Sequence, residues 1–472
     1  MKKFKCNRCG NTLEMNKLER DYYCENCGVD ASMIEEILEE NARIPISEDN
    51  PSIERISNKC INCGMCYKTC REVVGIKYDI DKFSSPICVN CGACRLTCPT
   101  GAIKEKYSYK IVKDFIENTD KCVVVLTSPA VRVSIGEEFG FEPGTFLEGK
   151  MVSALKRLGF DYVFDTTFGA DLTTVEEAYE LLTRINNNID LPMFSSCCPA
   201  WVKYMEMYHP NKLNHLSTCK SPIAMESSLI RHYFSKIKGL KKSDIIIVAL
   251  TPCTAKKYET LRDELKDTNY VITTSELALY LKEDNIDFKN LENAEYDSIF
   301  GKGSGGGTIF GTTGGVSESV LRTLHYFITG KEEDIDLVKT RGLDNIKEIS
   351  LKIKDKNINV AIINGLKNVF PILEKLEKGE KIEYDFIEVM NCTGGCIGGG
   401  GQPLGVISKM DEIRKKRLEG LYKDDETSNI RCSYNNPDII KIYNDYLVTY
   451  GSNIAHYLLH TNYFNKRNLT NN

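Results

Sequence analysis

Twenty cysteines punctuate this 472-residue chain, and seventeen of them fall into four groups whose spacings suit metal binding better than disulfides. The first group is CNRCG (6–10) and CENCG (24–28). Two CxxC knuckles separated by 14 residues can bring Cys6, Cys9, Cys24 and Cys27 to one tetrahedral ion. Zinc, structural and redox-silent, is the default for four thiolates, and a single iron is the alternative. The second and third groups form one unit. Cys60, Cys63, Cys66 and Cys70 read C-x2-C-x2-C-x3-C, and Cys88, Cys91, Cys94 and Cys98 repeat the run, with Pro99 following. In this two-cluster pattern the fourth cysteine of each run serves the other run's cluster. One 4Fe–4S cluster is therefore expected on Cys60, Cys63, Cys66 and Cys98, and a second on Cys88, Cys91, Cys94 and Cys70. Two such clusters make an electron wire without defining a reaction.

The fourth group is dispersed. Cys197 and Cys198 stand side by side in FSSCCPAW (194–201), Cys253 lies in TPCTAKKYE (251–259), and Cys392 and Cys396 lie in EVMNCTGGCIGGGGQP (388–403). Each sits past a predicted strand or in a Gly-rich turn, where ligands gather in α/β folds. Cys198, Cys253, Cys392 and Cys396 supply the four thiolates one cubane needs. Adjacent side chains point in different directions, so Cys197 is spare. Cys122, Cys219 and Cys432 read as buried small hydrophobes.

These residues need elements to hold them. The apolar runs CVVVL (122–126), DIIIVAL (244–250) and NVAIING (359–365) predict buried strands, and amphipathic stretches between them predict α/β layers with parallel sheets. Residues 31–50 read as a short acidic helix and linker closed by Asn50-Pro51. The expected division is a four-cysteine zinc-ribbon or rubredoxin-like knuckle over 1–32, a linker over 33–50, a ferredoxin-like domain with two clusters over 51–110, and a catalytic domain over 111–472. Thr174-Val175-Glu176-Glu177 has the form of a capping box, so a helix is expected to begin there. Its apolar stripe is Val175, Ala178, Leu181, Leu182 and Ile185, and Glu177, Glu180 and Arg184 share another face. The run RKKR (414–417) reads as a solvated helical face, without the interleaved aromatics of a nucleic-acid site. A net charge of -5 also argues against nucleic acid. No apolar run is long enough to span a membrane, and no apolar h-region follows the basic N-terminus, so a cytoplasmic location is expected.

With these segments in view, the chain resembles the iron–iron hydrogenases. SSCCPAW, PCTAKKYE and EVMNCTGGCIGGGGQP are similar to that family's three signature segments, joined by SPAVRVSIGEEFG (128–140), FDTTFGADLTTVEEA (164–178), IFGTTGGVSES (309–319) and LLHTNYF (458–464). The resemblance implies a large two-lobed α/β catalytic domain that binds an H-cluster. This is a cubane joined through Cys396 to a two-iron subsite carrying CO, cyanide and a bridging dithiolate with a bridgehead amine. It implies that Lys256 donates to one cyanide, that the backbone around Ser128 and Pro129 meets the other, and that Thr251 and Met390 lie beside the subsite. Cys197 becomes a proton carrier, and the implied relay runs Cys197, Glu177, Ser217, Glu180, Arg184 and then solvent. On pattern alone Glu180–Arg184 is an ordinary helical ion pair on a solvated face.

The implied reaction interconverts protons and H2, with a soluble ferredoxin as electron partner and maturation proteins supplying the two-iron subsite. Thr251 stands where the best-studied members carry methionine, while Met390 keeps the methionine of the third segment. SPIAMES (221–227) replaces a glutamine-containing stretch, and the N-terminal knuckle replaces a longer accessory-cluster region. No histidine occurs before His209, so a histidine-ligated accessory cluster is expected to be absent. The rival readings are a non-catalytic iron–sulfur assembly factor on the same scaffold, whose members typically lack the spare cysteine and the lysine, and a hydrogen or redox sensor.

Overall fold

Runs of β-branched residues make the central strands here, and parallel pairing explains why those strands carry so little polar character. All seven residues of Ile245–Thr251 are buried, as expected for a strand covered on both faces. The computed structural model describes residues 43–76, 88–332, 335 and 337–466, preceded by the backbone of three short strands. Those strands, β1 (Phe4–Lys5), β2 (Thr12–Asn16) and β3 (Asp21–Tyr23), form an antiparallel sheet in the order β1-β2-β3. Cys6, Cys9, Cys24 and Cys27 lie outside the described residues, as does the acidic stretch up to residue 42; residues 43–50 carry no helix.

Strands β4 (Ile53–Arg55) and β5 (Ile103–Glu105) pair antiparallel and close off the segment bearing the next eight cysteines. The repeat is visible in its backbone. Asn62 and Gly64 are left-handed at φ 64° and 67°, and Asn90 and Gly92 match them at 61° and 71°. Asparagine and glycine are the residues that tolerate this conformation. A short helix follows each turn, Met65–Lys68 and Ala93–Thr97.

Two four-stranded sheets build the rest. β6 (Cys122–Thr127), β7 (Tyr162–Asp165), β9 (Ile245–Thr251) and β10 (Tyr270–Thr273) form an all-parallel sheet in the order β10-β9-β6-β7. β8 (Met193–Phe194), β11 (Ile346–Ile353), β12 (Lys356–Asn364) and β13 (Phe386–Met390) form the other, ordered β11-β12-β13-β8, with only the β11–β12 hairpin antiparallel. Alternating side chains sort into separate cores. Val123 and Val125 of β6 pack on one face of the first sheet, and Val124 and Leu126 on the other. Ala361 and Ile363 of β12 face one core of the second sheet, and Val360 and Ile362 the other.

Two local expectations are corrected. The helix expected to begin at Thr174 begins at Thr166. Helix α1 spans Thr166–Asn187, capped by the Asp165 carboxylate, which accepts from the Thr167 amide at 3.1 Å. Thr174 lies inside it, its hydroxyl donating to the Ala170 carbonyl at 2.9 Å. The capping sequence was outcompeted because β7 delivers a better cap two turns earlier and tertiary packing covers those turns. RKKR does not form a uniformly solvated face. In helix α4 (Met410–Thr427), numbered after α2 (Pro199–Tyr208) and α3 (Pro222–Leu229), Arg417 is fully buried. It donates to both oxygens of Glu137 at 2.7 Å and to the Ile397 carbonyl at 2.7 Å, beside Cys396. No helix among the described residues is long and apolar enough to cross a membrane.

Candidate active site

The carboxyl ends of strands from both sheets open onto one cavity of about 80 Å³. Ser128 and Pro129 follow β6, Thr251 ends β9 and Cys253 lies just beyond it. Cys197 and Cys198 follow β8, Met390 ends β13, and Cys392 and Cys396 come after it; all of these line the cavity, as does Lys256. The sulfurs lie close enough to act on one another. The Cys392 thiol is disfavoured as an anion by burial and by Cys253, Cys198 and Cys396, and Cys396 likewise by burial and Cys198. Four sulfurs that would repel one another as thiolates around one hollow suit a cationic iron cube, which would relieve the repulsion through soft ligation. The backbone is shaped for close approach. Gly395 has φ +86°, and a Cβ there would sit 2.7 Å from the Thr313 nitrogen.

The adjacent cysteines have opposite surroundings. Pro199 starts α2, and the amides of Ala200, Trp201 and Asn391 are directed at the Cys198 sulfur, favouring its anion against burial. Cys197 receives no such support. Burial first, then the Glu177 carboxylate and neighbouring thiols, push its proton affinity well up, so it stays a thiol. One sulfur is equipped to be a thiolate ligand, the other to keep its proton.

From Cys197 the polar groups lead along α1. Glu177 is 1% exposed, and among the described residues no close hydrogen bond reaches either carboxylate oxygen. Burial pushes its carboxyl up to about 8, partly countered by the Ser217 hydroxyl. Ser217 Oγ donates to Glu180 Oε2 at 3.1 Å. Arg184 holds the same carboxylate, its Nη2 at 2.6 Å and Nε at 3.1 Å from Oε1. Its other N–H groups go to the carbonyls of Asp190, Asn214 and Leu216, at 3.1, 2.9 and 2.8 Å. With all five donors bound, and a guanidinium that does not deprotonate, Arg184 fixes Glu180 rather than ending the relay as a carrier.

At the corner where the backbone around Ser128 and Pro129 was expected to meet a ligand, the Ser128 amide donates to the Leu250 carbonyl at 2.9 Å, Pro129 has no N–H, and Ala130 continues the cavity wall. Lys256 Nζ lies 2.7 and 2.9 Å from the Glu259 oxygens and 3.5 Å from the Cys197 carbonyl.

The sequence reading missed several participants. Thr218 donates to Glu180 Oε2 through its amide at 3.0 Å and its hydroxyl at 3.1 Å, and the hydroxyl meets His460 Nδ1 at 2.7 Å. His460 Nε2 lies 3.1 Å from Glu176 Oε2. Cys219 is buried as expected, with Sγ 3.8 Å from Glu180 Oε2. Only the placement of His460 within LLHTNYF hinted at this.

Outside the cavity, the paired cysteine runs interleave. Cys60, Cys63, Cys66 and Cys98 line one smaller cavity. Cys94 is influenced by Cys88, Cys91 and Cys70, and Cys91 and Cys392 share the wall of a further hollow. Each run thus sends its fourth cysteine to the other run's group, and the second group abuts the large cavity.

Comparison with known proteins bears on this arrangement. The family described as "Iron only hydrogenase large subunit, C-terminal domain" matches residues 121–400, and "Iron hydrogenase small subunit" matches residues 411–466. The chain is 42% identical to Iron hydrogenase 1 of Clostridium pasteurianum over 442 residues, covering 89% of this chain and 77% of that protein. It is 30% identical to Protein NAR1 of Arabidopsis thaliana, covering 73% of this chain and 78% of that protein. Among solved structures, a variant of the apo [FeFe]-hydrogenase HydA1 from Chlamydomonas reinhardtii superimposes with a TM-score of 0.67 at 36% identity, covering 75% of this chain and 98% of that one.

Proposed function

The chain belongs to the iron-only hydrogenase family, whose members carry an H-cluster and iron–sulfur clusters, and from that premise we propose that it catalyses 2H⁺ + 2e⁻ ⇌ H₂. The observation that carries the reading is the free thiol of Cys197, turned toward Glu177 beside four other cavity-lining cysteines. A scaffold that only stored a cubane would need Cys198, Cys253, Cys392 and Cys396, and nothing further.

In this reading those four cysteines would hold the cubane, and Cys396 would also serve the two-iron subsite. The bound cluster supplies the redox chemistry and a site where protons and electrons meet. The protein does the rest. Lys256 places a buried cation toward an anionic ligand, while Thr251 and Met390 shape the cavity wall. At the Ser128–Pro129 corner the Ser128 hydroxyl joins the contact expected of the backbone. Cys197 holds a proton at its sulfur and exchanges it with Glu177. Glu177 exchanges with the Ser217 hydroxyl that faces it, and Ser217 passes it to Glu180. A carboxyl and a hydroxyl can each accept one proton while giving another. Arg184 positions Glu180. Cys88, Cys91, Cys94 and Cys70 would hold one 4Fe–4S cluster and Cys60, Cys63, Cys66 and Cys98 another, which would supply one-electron redox chemistry between the cavity and a soluble ferredoxin. Residues 51–110 form the ferredoxin-like domain, 111–472 the catalytic domain, and Cys6, Cys9, Cys24 and Cys27 hold zinc, or a single iron, in the knuckle over 1–32. Maturation proteins insert the two-iron subsite, in the cytoplasm.

The likeness to NAR1 supports the rival, an assembly factor without the two-iron subsite. Infrared spectroscopy of the protein produced with hydrogenase maturation proteins separates the two. Carbon monoxide and cyanide bands, with H2 evolution from reduced ferredoxin, are expected. A protein with full 4Fe–4S content that shows neither is an assembly factor.

A further inference from the structure

Asn391 stands in the wall between the cubane cavity and the nearer ferredoxin-type cluster. It is 5% exposed and lines both the large cavity and the smaller hollow shared by Cys91 and Cys392. Its Nδ2 lies 3.6 Å from Cys392 Sγ. The same amide group faces the Cys91 sulfur, and the Asn391 backbone N–H faces Cys198. The side-chain orientation follows from chemistry. A sulfur bound to iron only accepts hydrogen bonds, so the NH2 end belongs toward the sulfurs. The other end, Oδ1, is buried with no partner among the described residues. A buried amide oxygen left unpaired is destabilising, which packing alone does not explain. An NH2 group carries two hydrogens, one for each sulfur.

We propose that Asn391 is a hydrogen-bonded bridge between two clusters, tying Cys392 of the cubane to Cys91 of its neighbour and raising the reduction potential of both. The proposal rests on the ligand assignments made above. A donor aimed at a ligating sulfur stabilises the more negative, reduced cluster, so its potential rises. Because one side chain serves two clusters, both move in the same sense and the step between them stays small. The bridge also gives the electron a bonded route from Cys91 to Cys392, with no proton or bond exchanged.

The test is a redox titration of the purified protein with its 4Fe–4S clusters, followed by electron paramagnetic resonance. Asn391→Leu keeps the bulk and removes both N–H donors. Asn391→Asp keeps the shape, removes the donors and adds negative charge. In both variants the cubane and the cluster on Cys88, Cys91, Cys94 and Cys70 are expected at more negative potential than in the wild type, further so for Asp. The cluster on Cys60, Cys63, Cys66 and Cys98 should not move. Unchanged potentials in the leucine variant, or a shift confined to one cluster, overturn the bridge. Should that variant fail to assemble its clusters, unchanged potentials in Asn391→Asp overturn it equally. The titration needs no two-iron subsite, so missing carbon monoxide and cyanide bands would sink the proposed reaction and leave this result standing.

Discussion

Side chains one residue apart can be prepared for opposite tasks by what their neighbours donate. Cys198 sits at the start of α2 with amides aimed at its sulfur, whereas Cys197 faces carboxylates and keeps its proton. Cys197→Ser replaces a transferable proton with one held far more tightly. Turnover should fall by about 10²-fold or more while the carbon monoxide and cyanide bands persist; near-wild-type H2 evolution would refute the carrier role. Glu177 makes a separate prediction through stability. Its carboxyl lies at about 8 in the fold against an ordinary value of 4.5. An acid raised on folding supports the fold fully below 4.5, and that support is lost as pH climbs through 8. Glu177→Gln fixes the neutral form, so its advantage over wild type in thermal unfolding should grow across that window, to at most about 5 kcal/mol. A constant difference between the two proteins from pH 5 to 9 would contradict the neutral-acid assignment. The spare cysteine and the two glutamates were legible from sequence. Thr218, His460 and Asn391 were not, because a single polar residue announces nothing until tertiary contacts give it a partner.

Elements explain why the last signature segment is so rich in glycine. Gly400 passes against the eight-cysteine segment, and a Cβ there would lie 2.2 Å from the Cys91 carbonyl oxygen and 2.8 Å from the Gly92 Cα. Gly400→Ala should push the Cys91 turn away from Cys392, destabilise the fold by about 1–3 kcal/mol, and slow ferredoxin-driven turnover. The infrared bands should not change, since the cavity lies on the other side. Parallel strands explain the site's location, because their carboxyl ends converge there from both sheets. Strand cores were readable from unbroken apolar runs. The start of α1 and the burial of Arg417 were misread because both depend on partners distant in sequence, Asp165 at the end of β7 and Glu137.

Across the whole molecule, one buried arginine ties the cluster-bearing segment to the core. Arg95, 7% exposed, donates to the carbonyls of Gly400 and Gln402 at 2.9 and 3.0 Å and to Ser275 Oγ at 3.0 Å, and pairs with Glu105 at 3.2 Å. Arg95→Met leaves Glu105 buried without this cation. A loss of about 3–5 kcal/mol in denaturant unfolding is expected, with slower electron entry from ferredoxin. A variant as stable as wild type would show that the two parts hold together without the arginine.

By itself the sequence marked the cysteines as candidate ligands, because soft thiolates suit iron and zinc, and it determined the buried strands, because their apolar runs need no partner to be read. Only the tertiary structure decided what surrounds each of the paired cysteines, which glycine touches which backbone, and that Asn391 stands between two sulfur groups. Those outcomes depend on dielectric surroundings and on distances between segments far apart along the chain, which spacing along the chain does not encode.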